Sequence, residues 1–127
     1  MIDTDFPHKD ITEQIISCAI EVHSHLGPGL LESVYQEALA HEFAIRNITF
    51  EKEKEVSISY KDKEIGRHRI DFLVLDEVIV ELKAAESINK IFEAQLLTYL
   101  KAMDKKVGLI INFNVSRLKD GIKRLIL

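Results

Sequence analysis

Three polar side chains, Asp71, Glu81 and Lys83, interrupt two apolar segments whose composition is typical of buried strands. Because side chains alternate between the two faces of a strand, Glu81 and Lys83 share a face with Ile79. A buried charge costs free energy unless it is paired or binds a metal. The three residues therefore predict one of two arrangements: an ion pair of Lys83 with an acid, which closes the sheet, or a site for a divalent cation.

Length and composition indicate a compact folded chain. The 127 residues, 46% hydrophobic and 30% charged, predict one domain with a single core over residues 1–127. No apolar stretch reaches the roughly 20 residues of a membrane-spanning helix, and residues 1–10 lack the hydrophobic region of a signal peptide. We therefore expect a cytoplasmic protein without membrane contact. A net charge of -4 argues against nonspecific coating of nucleic acid, and the lone Cys18 excludes an internal disulfide.

Hydrophobic periodicity predicts the elements that position these side chains. A first helix is expected to open with a capping box at residues 10–13 and to end at Gly27-Pro28-Gly29, and a second helix is expected from Leu30 to about Asn47. The later segments alternate between strand and helix periodicity: strands over 54–60, 65–74 and 78–83, a helix over 87–103, a strand over 106–113 and an optional edge strand within 121–127. The order α-α-β-β-β-α-β indicates the α/β class.

The connection between the second and third strands decides whether the two acids can meet. A two-residue turn at Asp76-Glu77 would place Asp71 opposite Leu82, on the face away from Glu81. A three-residue connection that begins at Leu75, or a single bulge, would instead place Asp71 opposite Glu81. A metal site therefore requires this odd register.

These residues and their order resemble the PD-(D/E)XK nuclease superfamily. Asp71, then Glu81-Leu82-Lys83, then a helix and a buried strand match its motif, although Ile70 stands where the motif name has Pro. The segment Gly29–Tyr35 is similar to the signature of the GxxExxY family, a branch of that superfamily. Gln95 and Tyr99 resemble the Q-x-x-x-Y motif of its RecB-like branch. The resemblance extends from about residue 11 to residue 127.

The resemblance implies a restriction-endonuclease-like core, with a central mixed sheet flanked by helices, and a nuclease activity that depends on Mg²⁺ or Mn²⁺. It favours DNA as the substrate. The metal ligands that it implies are the side chains of Asp71, Glu81 and Glu32 and the carbonyl of Leu82, all of them oxygen donors suited to a hard cation. Lys83 would orient the attacking water or lower its pKa.

Several of the implied site residues also have a structural explanation. Gln95 and Tyr99 lie four residues apart on one helix face. Gln95 could contact the metal-bound water or a substrate phosphate, and Tyr99 could hold a phosphate or orient Lys83, although Tyr99 alone is explained as a core residue. Glu32 could be a first-turn acid favoured by the helix dipole. Tyr35, one turn further on, could contact a phosphate or pack beneath Glu32.

Two further pairs of residues are open to either role. Arg67 and Arg69 precede Asp71 by four and two residues, so that a regular strand would carry them to its face for phosphate contact, whereas a solvated strand edge would explain them as well. His23 and His25 point to different sides of a helix, which favours structural or exposed roles over a transition-metal site.

A second class of function fits the same sequence. The fold could be a catalytically silent module that binds or assembles with a partner protein. The complete set of acids and Lys83 favours the enzyme. Because so small a chain could hold only a short stretch of nucleic acid, we expect a homodimer or a protein partner to supply additional surface.

Overall fold

The structure is a computed structural model that describes residues 6–127. Residues 1–5, part of the segment predicted to lack a signal peptide, lie outside the described residues. The elements are α1 (Lys9–Leu26), α2 (Glu32–Ile45), β1 (Phe50–Tyr60), β2 (Lys63–Val74), β3 (Val78–Lys83), α3 (Lys90–Met103), β4 (Val107–Asn112), a 3-10 helix (Leu118–Gly121) and β5 (Ile122–Ile126). Between residues 6 and 127, no helix combines the length and the apolar character that spanning a membrane requires.

The five strands form one mixed sheet in the order β1-β2-β3-β4-β5. Only β3 and β4 run parallel, because α3 crosses over between them and returns the chain to the same end of the sheet. The other neighbours are antiparallel. The predicted α/β class, the element order and the flanking helices are confirmed, and the optional last strand is β5.

Two apolar clusters cover the two faces of the sheet. On one face α1 and α2 pack against side chains that include Phe72, Val80 and Leu109. On the other face α3 packs through Leu96 against Ile79 and its neighbours. Each layer buries the apolar stripe of its helices, which is the main favourable contribution to the stability of such a sheet.

The helix α3 lies very close to β4. A Cβ atom added to Gly108 would come within 2.8 Å of the Leu96 methyl carbons, and Leu96 is fully buried. The missing side chain at Gly108 thus sets the distance between the helix and the sheet.

Two local expectations about element boundaries are wrong. The capping box at residues 10–13 does not form: α1 begins at Lys9 after His8, without a side-chain cap. Asp10, the expected N-cap, instead lies inside the first turn of α1. The strand β1 begins at Phe50, four residues before the predicted start, because pairing with β2 extends through the charged residues 51–55.

The connection between β2 and β3 has the odd register that a metal site requires. Val74 pairs with Val78, so that the intervening residues are Leu75, Asp76 and Glu77. Leu75 and Asp76 have φ angles of 52° and 59°, and the Glu77 N–H donates to the Val74 carbonyl at 3.0 Å. The prediction of a three-residue connection is confirmed, and continuing the register places Asp71 opposite Glu81.

The close approach at Gly108 predicts a strong effect of a single methyl group. We expect Gly108→Ala to lower the free energy of unfolding by about 1–3 kcal/mol, because the buried Leu96 must shift. Gly66→Ala on β2 is the matched control, since a Cβ there meets no atom within 4 Å. Urea denaturation followed by circular dichroism measures both variants. Equal stability of the two variants would contradict the packing described here.

Candidate active site

The strand β2 changes face at Asp71. Ile70 packs into the cluster beneath α3, whereas Phe72 packs into the cluster beneath α1 and α2. In a regular strand, residues two apart lie on the same face. Glu53, which faces Asp71 across β1, has a φ of 56°. The pairing of β2 with β3 ends at Phe72 and Val80, so the two strands part beside Asp71.

Side-chain hydrogen bonds replace the missing strand pairing in this gap. The Asp71 N–H donates to Glu81 Oε2 at 2.9 Å, and the Leu82 N–H donates to Asp71 Oδ2 at 2.7 Å. Each acid therefore binds the backbone of the other strand. This reciprocal arrangement, which we call the carboxylate bracket, holds Asp71 and Glu81 next to each other at the end of the paired region.

Gln36 completes the support of Asp71, and sequence reasoning missed it. Its Nε2 donates to Asp71 Oδ1 at 2.9 Å from α2. Gln36 is four residues after Glu32, so the two side chains share a helix face. That spacing was the one available signal in the sequence.

The bracket brings a buried acid, Glu81, next to a half-buried one, Asp71. Burial is the main reason that the pKa of Glu81 rises to about 8, and the neighbouring charge of Asp71 raises it further. Burial also raises the pKa of Asp71, although the hydrogen bond from the Leu82 N–H opposes the rise. At neutral pH the pair therefore needs a proton or a cation to balance its charge.

Lys83 does not supply that balance through an ion pair. Its ammonium lies 4.2 Å from the ring centroid of Phe92, and among residues 6–127 it has no carboxylate oxygen within 4 Å. Its positive charge nevertheless lowers the pKa of both Asp71 and Glu81. The prediction of an ion pair between Lys83 and an acid is therefore wrong. Lys83 lies beside the acids, and its N–H groups can bind water.

A second unpredicted residue, His68, lies beside Glu81. Its Nε2 is 3.9 Å from Glu81 Oε1, and its ring stacks on Tyr99 with a centroid distance of 4.3 Å. Burial and the charge of Lys83 lower the pKa of His68. Burial, followed by the charge of Glu81, raises the pKa of the Tyr99 hydroxyl. Tyr99 is thus both a core residue and a neighbour of the acids.

The two arginines of β2 lie elsewhere. Arg67 pairs with Glu64 at 2.7 Å, and Arg69 Nη1 lies 3.7 Å from Glu53. The expectation that a regular strand brings them to the face of Asp71 is wrong, because the chain changes face at that residue. His68, between them, is the one that reaches Glu81.

Tyr35 serves the loop that leads into α2. It is fully buried, its hydroxyl donates to the Gly27 carbonyl at 2.5 Å and accepts from the Leu30 N–H at 3.2 Å, and its ring stacks on Phe113. A substrate phosphate cannot reach it, so the expected phosphate contact is wrong. By clamping this loop, Tyr35 fixes where α2 and its first residue, Glu32, begin.

The structure brings the other predicted residues together only in part. Glu32 is exposed, and it lies near enough to Asp71 and Glu81 for its charge to raise the pKa of both acids. Gln95 is also exposed, and its side chain makes no hydrogen bond within residues 6–127. His23 binds the Val115 carbonyl at 2.8 Å and His25 pairs with Glu21, which agrees with their predicted structural and exposed roles.

The donor atoms around the bracket suit a hard cation. The N–H and C=O of a strand residue point the same way, so the Leu82 carbonyl faces the gap together with its N–H. Asp71, Glu81 and this carbonyl present oxygen ligands, the type that Mg²⁺ and Mn²⁺ prefer. Within residues 6–127 no three His, Cys, Asp or Glu side chains are already placed to hold a metal. A cation there would draw on the backbone carbonyl, water or a movement of Glu32.

Comparison with protein families assigns the chain. Residues 9–125 match the PD-(D/E)XK nuclease superfamily. Because the match covers nearly the whole chain, the protein belongs to this superfamily of nucleases. No curated protein matches the chain.

The raised pKa of Glu81 predicts a pH-dependent stability. Because its pKa of about 8 in the folded chain exceeds the ordinary value of 4.5, the folded state keeps a proton that the unfolded state has lost. Without divalent metal, stability should therefore fall as pH rises from 4.5 towards 8. Glu81→Gln should make this fall smaller, leaving only the part that belongs to Asp71, and near pH 8.5 it should be more stable than the parent by about 2 kcal/mol.

Denaturation in a chelator across this pH range measures the effect. Glu86→Gln, an exposed acid just after β3, is the control and should follow the parent. Parallel pH profiles for the Glu81→Gln variant and the parent would contradict the burial of an acid with a raised pKa.

Proposed function

We propose that the protein hydrolyses phosphodiester bonds in nucleic acid, with DNA as the favoured substrate, in a reaction that requires Mg²⁺ or Mn²⁺. The observation that carries this proposal is the carboxylate bracket beside an unpaired Lys83. A structural ion pair would place the Lys83 ammonium against one of the acids. In this geometry the ammonium lies elsewhere, so the charge of the two acids is not balanced by an ion pair with Lys83. Membership of a nuclease superfamily supports the same conclusion.

The metal ligands in this proposal are Asp71, Glu81 and the Leu82 carbonyl, with Glu32 added directly or through water. The ion would neutralise charge on the scissile phosphate and make the attacking water more acidic. Glu81 loses its proton when it takes up this role, because a ligand oxygen must be free. Gln36 keeps Asp71 aimed into the gap through the hydrogen bond to Oδ1.

The remaining site residues act on the water and the phosphate. Lys83 Nζ donates hydrogen bonds to the attacking water and orients it towards phosphorus. The Tyr99 hydroxyl, near Glu81, and the Gln95 amide hold Lys83 or a phosphate oxygen. Arg67 and Arg69 contribute at most to a more distant stretch of the backbone, since both are paired on the exposed part of β2.

We also propose that the chain falls within the GxxExxY branch of the superfamily. The segment Gly29–Tyr35 carries that signature, and its residues have distinct tasks in this structure. Gly29 has a φ of 100°, which favours glycine, Glu32 opens α2 towards the acids, and Tyr35 clamps the loop between them. We further propose one domain over residues 1–127, with a second copy or a partner protein extending the surface for nucleic acid.

One observation favours the second class of function. No three acidic, His or Cys side chains within residues 6–127 are preassembled for a metal, as would suit a module that binds nucleic acid or a protein without cleaving it. Such a module would bind labelled nucleic acid equally well with and without divalent cation and would release no product.

The test of activity uses labelled single-stranded and double-stranded DNA and RNA with Mg²⁺ or Mn²⁺. We expect cleavage by the parent chain and a loss of about 100-fold or more in Asp71→Asn and in Lys83→Met, which remove a metal ligand and the water-orienting ammonium. Asp76→Asn is the matched control, because Asp76 lies in the exposed turn and Asn tolerates its φ of 59°.

Unchanged folding of each variant is checked by thermal denaturation. Cleavage that survives in both Asp71→Asn and Lys83→Met would contradict the proposed site. Binding without cleavage by the parent, under every metal condition, would favour the silent module.

A further inference from the structure

We propose that an unpaired strand of nucleic acid reaches the carboxylate bracket along a groove between β1 and α3. This inference rests on the proposed nuclease function and names the form of its substrate. The groove has a volume of about 360 Å³, and its lining residues are Ser57, Ile58, Ser59, Thr98, Lys101 and Ala102. We call it the α3 groove.

The α3 groove continues directly from the site. His68, whose ring lies beside Glu81, pairs with Val56, and the next pair on the same face of the hairpin is Gly66 with Ile58. Two strand residues span about 7 Å, so the groove begins one short step from the acids. On the helix side, Tyr99 stacks on His68 and its neighbour Thr98 lines the groove.

The floor of this path is open. A Cβ atom added to Gly66 would meet no other atom within 4 Å, so neither α3 nor a side chain covers the strand there. Ile65 and Tyr60, nearer the hairpin tip, are also exposed. An extended chain can therefore lie across Gly66 without displacing any part of the protein.

The groove has groups that suit a phosphate backbone. Gln95, Thr98 and Lys101 are spaced three residues apart along α3 and are all exposed. Within residues 6–127, Lys101 makes no ion pair. Glu64, which accepts a hydrogen bond from Ser57 at 2.7 Å, pairs with Arg67 and is not among the lining residues. Lys101 is the charged residue that lines the groove.

The opposite wall is the edge of the sheet. Because β1 is the first strand in the sheet order, no strand within residues 6–127 pairs with the backbone N–H and C=O groups along its outer edge. Such groups can bind bases or phosphates without regard to sequence.

The dimensions select a single strand. The α3 groove has a volume of only about 360 Å³, whereas the major groove alone of a duplex is about 12 Å wide, so the duplex as a whole is too large to enter it. Single strands are commonly held by a basic groove that follows the backbone. The substrate class we infer is therefore an unpaired strand or the unpaired end of a duplex.

Fluorescence anisotropy with a labelled oligothymidylate, and with a blunt duplex of equal length, tests the inference at low salt. Ca²⁺ replaces Mg²⁺ so that binding is measured apart from cleavage. We expect the single strand to bind at least about fivefold more tightly than the duplex, and both Gly66→Leu and Lys101→Ala to weaken single-strand binding by about fivefold or more. Lys119→Ala, on the exposed 3-10 helix, is the matched control and should bind as the parent does.

The outcomes separate this inference from the proposed function. Preference for the duplex, or unchanged single-strand binding in both groove variants, would overturn the inference even if the parent cleaves DNA. Lost binding in the groove variants, with no cleavage by the parent in Mg²⁺ or Mn²⁺, would support the α3 groove and contradict the nuclease activity. Thermal denaturation of Gly66→Leu confirms that the variant is folded, as the open space at this residue predicts.

Discussion

The exchange of hydrogen bonds between Asp71 and the β3 residues Glu81 and Leu82 is the interaction on which the rest of this structure depends. It forms where β2 leaves β3, at the point at which backbone pairing ends. Each acid satisfies a backbone N–H that the sheet would otherwise leave without a partner, which a buried peptide group requires. The same contacts oblige two carboxylates to share a buried space. The contacts that connect β2 with β3 at this point therefore also create the acidic site.

The neighbouring elements hold this arrangement from three directions. From α2, Gln36 holds the second oxygen of Asp71, and Tyr35 fixes the loop before that helix. From α3, the ring of Phe92 contacts the Lys83 ammonium near the acids, and the ring of Tyr99 stacks on His68. None of these contacts neutralises the pair, so the fold bears a cost that a bound cation would relieve. Groups with strongly shifted pKa values cluster at functional sites, which is why this pair marks the candidate active site.

Much of the fold and part of the site could be predicted from the sequence. Periodicity gave the order of elements because each buries an apolar face of its own. The sequence could predict that Asp71 meets Glu81 if the turn between β2 and β3 has three residues. Side chains alternate strictly between the two faces of a strand, so the length of the turn decides which side chains lie opposite each other. Gln36 and His68 could not be found in this way. Their positions relative to the acids depend on the change of face of β2 at Asp71, which no local sequence pattern predicts. The same change of face moves Arg67 and Arg69 away from the acids.

Calorimetric titration of the protein with Mn²⁺ at pH 7, in two buffers of different ionisation enthalpy, tests the central claim most directly. Because Glu81 with a pKa of about 8 is mostly protonated at this pH, we predict release of about one proton for each ion bound. The heat should therefore differ between the buffers, and Asp71→Asn should abolish the binding. Equal heats in both buffers, or binding that survives in Asp71→Asn, would contradict a cation site at the carboxylate bracket.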